Sequence, residues 1–200
     1  MNKAALKRIF YSVRLCTILG SGDRADYLRK HNVFGHIGEG CTIMERKVPL
    51  CPELISLGNN VHLASKVYLI PHDAVYLCLN GLKNKGGGVQ YEEIRFREKI
   101  GCIKIGDNVF IGSNTVVLYD VKIGSNVIVG AGSVVNKDIP DNSVAAGIPA
   151  RVIGTFDSFM DKRKKSDYPE ELAPEQHIIT SALKKYMWDD FEKRHRNKKT

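Results

Sequence analysis

Six side chains in this sequence carry an imidazole, the group best suited to trade a proton near neutral pH: His31, His36, His62, His72, His177 and His195. A general base must also be held in place, and His72 stands at a break in the sequence pattern. In the run Ile70-Pro71-His72-Asp73 a regular repeat gives way to a long irregular segment, which makes His72 the candidate base. His62 lies inside the repeat and reads as structural. Asp73 points to the opposite side of an extended strand and so does not orient its own neighbour. Cys78, six residues after His72, would permit a thiolate and a covalent intermediate; packing within the segment is the plainer role. His31 and His36 have the spacing of two metal ligands, but no third His is placed to complete a zinc site. The five cysteines, Cys16, Cys41, Cys51, Cys78 and Cys102, are odd in number and without C-x-x-C spacing. They predict free thiols in a reducing cytoplasm.

The element that must position these groups is a repeat of six. From Ile105 every sixth residue is aliphatic: Ile105, Ile111, Val117, Ile123, Val129 and Val135. A second column follows four residues after each, through Val109, Thr115, Val121, Val127, Ser133 and Ile139, and Gly follows the first column at 106, 112, 124 and 130. Residues six apart lie on nearly opposite faces of an α-helix, so no helix explains this. Short strands joined by tight turns do, with the Gly where the chain bends. The same phase runs earlier through Cys51, Leu57, Leu63 and Leu69, with Ile55, Val61 and Val67 beside it. Ile37 and Ile43 repeat it once, two extra residues before Cys51. Three such hexapeptides make one triangular coil, stacked on the next at roughly 4.8 Å.

Between Leu69 and Ile105 the register fails, so residues 73–102 read as an excursion thrown out of the coil. It holds Gly86-Gly87-Gly88 beside Asn84 and Lys85, and the charged run Glu92–Lys99. A segment this long in an ordered domain generally has a use. Its aromatic residues Tyr76, Tyr91 and Phe96 are of the kind that stacks on a sugar ring.

The chain of 200 residues suffices for one domain with a core and a tail, and its 43% hydrophobic content excludes wholesale disorder. The formal charge of +8 is uneven: residues 1–30 carry +5, residues 31–150 are neutral and residues 151–200 carry +3. Nucleic acid is therefore the least supported partner. No run of 18 apolar residues predicts a membrane span. Arg14 interrupts the apolar stretch near the start, so the first twenty residues are expected to be mature protein. Leu6, Phe10, Val13 and Thr17, with Lys3, Lys7 and Arg14 elsewhere, form an amphipathic helix that caps the first coil and also suits peripheral contact with anionic lipid. Beyond Pro149 the six-residue period ends, and Ser181–Arg196 reads as a helix. The organisation expected is a helical cap over 1–34, a repeat domain over 35–155 with its excursion, and a helical, basic tail over 156–200.

Residues 105–154, ending in Gly-Ala-Gly-Ser-Val-Val, Lys-Asp-Ile-Pro and Ala-Ala-Gly-Ile-Pro-Ala, resemble the hexapeptide-repeat acyltransferases, and among these the maltose/galactoside O-acetyltransferase-like group. The resemblance extends over residues 35–155. It implies an all-β left-handed parallel β-helix, a homotrimer, acetyl-CoA bound between subunits, and transfer of an acetyl group to a saccharide hydroxyl. His72 matches the family's catalytic His at the base of the extended loop. Asp73 and Tyr76, which follow it into the excursion, are expected on the acceptor side by position and residue type. Ser113 and Ala131 match positions whose backbone meets the pantetheine arm, and Lys137 and Arg151 match cationic positions near the nucleotide phosphates. Phe110 stands where the family usually has Trp. No metal is required by this chemistry. Transfer to an amino sugar, a zinc enzyme of the γ-carbonic anhydrase type and a non-enzymatic trimeric scaffold are the alternatives.

Overall fold

The structure is a computed structural model that describes residues 2–82, 94–164, 167–175 and 178–196. It falls into two compact units, residues 1–157 and 158–200. The first opens with helices α1 (Lys3–Thr17) and α2 (Ser21–Lys30). Short strands follow: β1 (His36–Ile37), β2 (Thr42–Ile43), β3 (Ile55–Leu57), β4 (Val61–Leu63), β5 (Tyr68–Ile70) and β6 (His72–Asp73). Helix α3 (Val75–Gly81) lies in the excursion, which returns through β7 (Lys99–Ile100). Then come β8 (Ile103–Ile105), β9 (Val109–Ile111), β10 (Val116–Leu118), β11 (Val121–Ile123), β12 (Val127–Val129), β13 (Val134–Val135), β14 (Ser143–Gly147) and β15 (Ala150–Thr155). Helices α4 (Phe156–Arg163) and α5 (Ser181–Arg196) complete the order.

The pairing register explains the period. Ile103 lies opposite Val121, Val109 opposite Val127 and Val116 opposite Val134, each eighteen positions apart and all parallel. Eighteen is three hexapeptides, so the chain visits three parallel sheets in turn and then stacks on itself. One coil earlier the offset is forty-eight, as in Ile55 with Ile103 and Val61 with Val109. The surplus of thirty equals the length of the excursion. The first coil is offset by twenty, His36 with Ser56 and Thr42 with His62, which absorbs the two extra residues before Cys51. Both columns beginning at Ile105 and Val109 are buried throughout, as are Leu57, Leu63 and Leu69. Cys51 departs from the expected column. It is half-buried and left-handed (φ 48°), displaced by those extra residues into a short turn ahead of β3.

The recurrent glycines act differently from the turn role expected. None of those at 106, 112, 124 and 130 has a positive φ. A Cβ on Gly106 would instead stand 2.8 Å from the backbone carbonyl of Gly124, one coil on. The left-handed corners belong to other residues, among them Asn60, Asn108, Asn126 and Asn142, with φ of 54–56°. Asn is one of the few side chains that visits this region cheaply. These four amides form a ladder along one corner: Asn60 donates to Asn108 at 3.0 Å, Asn108 to Asn126 at 3.0 Å and Asn126 to Asn142 at 2.9 Å.

Helices α1 and α2 close the first coil through Tyr11, Leu15, Ala25 and Leu28. The hairpin between them is held by two arginines. Buried Arg24 donates to the carbonyls of Ile18, Leu19 and Ile43, all at 2.8 Å. Arg46 donates to those of Leu15, Cys16 and Ile18 at 3.0–3.1 Å. Burial, and then the neighbouring Arg46 charge, pull the Arg24 pKa down; the electronegative C-terminal end of α1 compensates for both cations.

The glycine reading has a direct check. Gly106→Ala forces backbone apart between coils and is expected to cost roughly 1–3 kcal/mol in urea unfolding. Ala at half-buried Gly22, where no atom lies within 4 Å of the added Cβ, is expected to cost far less.

Candidate active site

The site forms where the excursion leaves and rejoins the coil. There β6 and β7 pair antiparallel, His72 opposite Ile100 and Asp73 opposite Lys99, and the Gly101 amide donates to the Pro71 carbonyl at 2.9 Å. This ribbon brings Glu98 to His72. Imidazole Nδ1 lies 3.0 Å from Glu98 Oε1, and the His72 side chain is only 18% exposed. The contact is at ion-pair distance but not along the N–H direction, so Nδ1 completes no hydrogen bond. Glu98, 45% exposed, has room to swing into line.

Asp73 faces away from His72, as an extended strand requires. Its Oδ2 accepts a 2.8 Å hydrogen bond from the Tyr119 hydroxyl, and its Oδ1 accepts from the Val75 amide at 3.1 Å, at the start of α3. Lys99 Nζ sits 5.0 Å from the centre of the Tyr119 ring. The hydrogen bond to Asp73 raises the Tyr119 pKa. Within the excursion the Asn80 side chain clamps Phe96, donating to its carbonyl and accepting from its amide. Tyr76 is half-buried in α3, and Cys78 in the same helix is exposed rather than packed. Tyr91 and Gly86-Gly87-Gly88 lie outside the described residues.

Three of the other histidines have local roles. His62 is bonded at both ring nitrogens, to Thr42 Oγ1 at 2.9 Å and Asn60 Oδ1 at 2.8 Å. His31 packs on the Tyr27 ring, 4.4 Å between centroids, and His195 bonds the Phe191 carbonyl through Nδ1. His177 lies outside the described residues. Among the described residues no three His, Cys, Asp or Glu side chains gather as metal ligands.

Ser113 and Ala131 sit on successive coils at one corner, where the Gly132 amide donates to the Ser113 carbonyl at 2.8 Å. A Cβ on Gly112 would meet the Ala131 backbone nitrogen at 2.5 Å, so the two coils pack backbone to backbone there, with Gly112 buried and Ala131 exposed. Lys137 and Arg151 are exposed, and Arg151 donates to the Ala150 carbonyl. His72 belongs to a different corner. The sheet of β5, β10 and β13 spans the interval, and the six steps from Ser113 to Tyr119, which include left-handed Asn114 (φ 59°), cover at most about 20 Å. Sequence reasoning missed Glu98 and Tyr119, which lie far from His72 and Asp73 along the chain. The one available signal was the failed register itself, since an excursion must return to the coil it left.

Residues 102–137 match the family model described as bacterial transferase hexapeptide (six repeats). The chain carries this hexapeptide repeat. Its resemblance to the hexapeptide-repeat acyltransferases is borne out by this match and by the relatives that follow. The chain is 41% identical over 127 residues to protein CapG of Staphylococcus aureus, covering 60% of this chain and 64% of that protein. It is 34% identical over 115 residues to the putative acetyltransferase YvoF of Bacillus subtilis, covering 58% and 56%. The chain thus spans less than two thirds of either relative. Among solved structures it resembles a galactoside acetyltransferase in complex with coenzyme A, at 25% identity and a TM-score of 0.51, covering 85% of this chain and 89% of that one. A hexapeptide-repeat acetyltransferase from Vibrio cholerae shares the fold, at 20% identity and a TM-score of 0.53, covering 78% and 94%.

The Tyr119–Asp73 bond has a pH signature. A raised phenol pKa means the interaction is fully present below the unfolded value near 10 and is lost as pH rises through the folded one. Titration of tyrosine absorbance should show one phenol ionising later than the ordinary range, and Asp73→Asn should remove that late component. An unchanged titration curve in the variant would show that Asp73 does not hold this proton.

Proposed function

We propose that this chain is an acetyl-CoA-dependent O-acetyltransferase acting on a hydroxyl of a saccharide or glycan precursor, with His72 as general base. The observation that carries this reading is His72 itself: half-buried at the root of the excursion, with a carboxylate at 3.0 Å from Nδ1. In this reading the acceptor oxygen attacks the thioester carbonyl carbon while imidazole takes its proton. The tetrahedral intermediate collapses by breaking the C–S bond, and the departing thiolate takes the proton back, releasing CoA. Glu98 is the positioning residue, stabilising the imidazolium as the buried Asp does in hydrolase triads. Acetyl-CoA lies along the Ser113 and Ala131 corner, with Lys137 and Arg151 toward its phosphates. Asp73 and Tyr76 line the acceptor side.

The coil is taken as a left-handed parallel β-helix that forms a homotrimer. The separation between the Ser113 corner and His72 supports a site completed across a subunit boundary. The protein is assigned to the cytoplasm on its free thiols; no described helix is long and apolar enough to cross a membrane. Peripheral contact with anionic lipid is assigned to α1, which exposes Leu6, Ile9, Phe10 and Val13 beside Lys3, Lys7 and Arg14.

Acceptor-dependent release of CoA, followed with a thiol reagent over a panel of sugars and nucleotide-sugars, tests the chemistry. His72→Ala is expected to lose roughly 10²–10⁴-fold in kcat, and Glu98→Gln to lose less while changing the pH profile. Equal release by H72A would sink His72 as the base. For α1, sedimentation with anionic vesicles at low salt is expected to fall in a Phe10→Ser, Val13→Ser double variant; no sedimentation of the unmodified protein would remove the lipid contact.

A further inference from the structure

Among the described residues two buried side-chain polar atoms lack a hydrogen bond, Arg8 Nε and His72 Nδ1. Both residues line one cavity of about 290 Å³, close to the lower end of ordinary small-molecule sites, roughly 300–1,000 Å³. Its walls are otherwise dominated by apolar side chains. Leu15 and Leu28 come from the two cap helices, Val48 and Leu50 from the segment after β2, and Leu69 and Ile70 from β5, which ends two residues before His72. The polar groups present are few. Glu45 already accepts from the amides of Arg46 and Lys47. Arg8 joins no ion pair among the described residues. A buried donor without a partner is unfavourable unless a bound molecule supplies one.

Atoms adjoining a hydroxyl that reacts at His72 must occupy the space His72 faces. A free hexose there would need a partner for each remaining hydroxyl, and beside Arg8 the walls offer only Glu45, Lys47 and Tyr68 among a majority of apolar side chains. Apolar walls instead favour an apolar occupant. The geometry points to an amphiphilic acceptor: a glycoside with an alkyl or polyprenyl substituent seated in this cavity and one oxygen hydrogen-bonded by Arg8. The inference rests on the acetyl-transfer reading and names the substrate class for that same site.

Paired methyl and hexyl glycosides of glucose, galactose and N-acetylglucosamine separate the possibilities. Acetyl-CoA-dependent CoA release is followed for each pair, and binding of the same glycosides is measured by calorimetry without acetyl-CoA. The hexyl member is expected to be preferred at least about tenfold in kcat/KM. Leu50→Trp adds bulk to the wall from a position that is 45% exposed and is expected to bring the ratio toward one. Arg8→Lys, which keeps the charge and removes the Nε donor, is expected to raise KM for the glycoside and not for acetyl-CoA. Equal use of both members, or an undiminished hexyl preference in L50W, overturns the inference and leaves the transfer reaction standing. Hexyl-selective binding without turnover supports the cavity assignment and overturns the transfer reading. Absence of both binding and turnover overturns the cavity assignment.

Discussion

Everything in the first unit depends on the close approach of one coil to the next. Stacked strands lie about 4.8 Å apart, and at the corners the backbones come nearer still. A Cβ on Gly106 or Gly124 would intrude on the coil that follows. The same approach brings Asn60, Asn108, Asn126 and Asn142 within amide–amide hydrogen-bonding distance. One constraint therefore selects two residue types: a side chain too small to clash, and one that tolerates a left-handed corner while satisfying the corner below. The buried aliphatic columns supply the drive to stack, and the corners determine the register.

A scaffold of this rigidity gives the excursion its precision. Thirty residues are inserted without changing the alignment of the coils on either side, as the offsets of Ile55 with Ile103 and Tyr68 with Val116 show. The ends of the insertion must return to adjacent coils, so β6 and β7 pair, and a carboxylate from the returning arm meets the imidazole on the leaving arm. Asp73 is turned the other way and is spent on Tyr119 and the start of α3. Two adjacent polar residues thus serve opposite faces of the same short strand.

The cap solves a different problem. The first coil has no coil beneath it, so α1 and α2 cover its aliphatic end, and their junction is tied down by Arg24 and Arg46 through backbone carbonyls instead of carboxylates. The face of α1 that packs inward also contributes Arg8 and Leu15 to the cavity beside His72. The face that looks outward keeps four large apolar side chains in solvent.

Much of the fold was legible in the residues alone. A six-residue period has one geometric reading, because three hexapeptides close a triangular turn; the columns, the two-residue slip before Cys51 and the interruption at residues 73–102 followed from counting. The place of His72 at the root of the excursion was legible because that is where the count fails. The sequence could not say why the glycines recur, since the reason is a neighbour eighteen residues away and not a turn at the glycine itself. Glu98, Tyr119 and Arg8 were equally hidden. Each meets its partner or the shared cavity only after the chain has gone around the coil, along the excursion or back from the cap. A local period specifies how each hexapeptide folds. Which side chains meet at the site is decided by the register of the stack, a property of the whole coil that no single repeat contains.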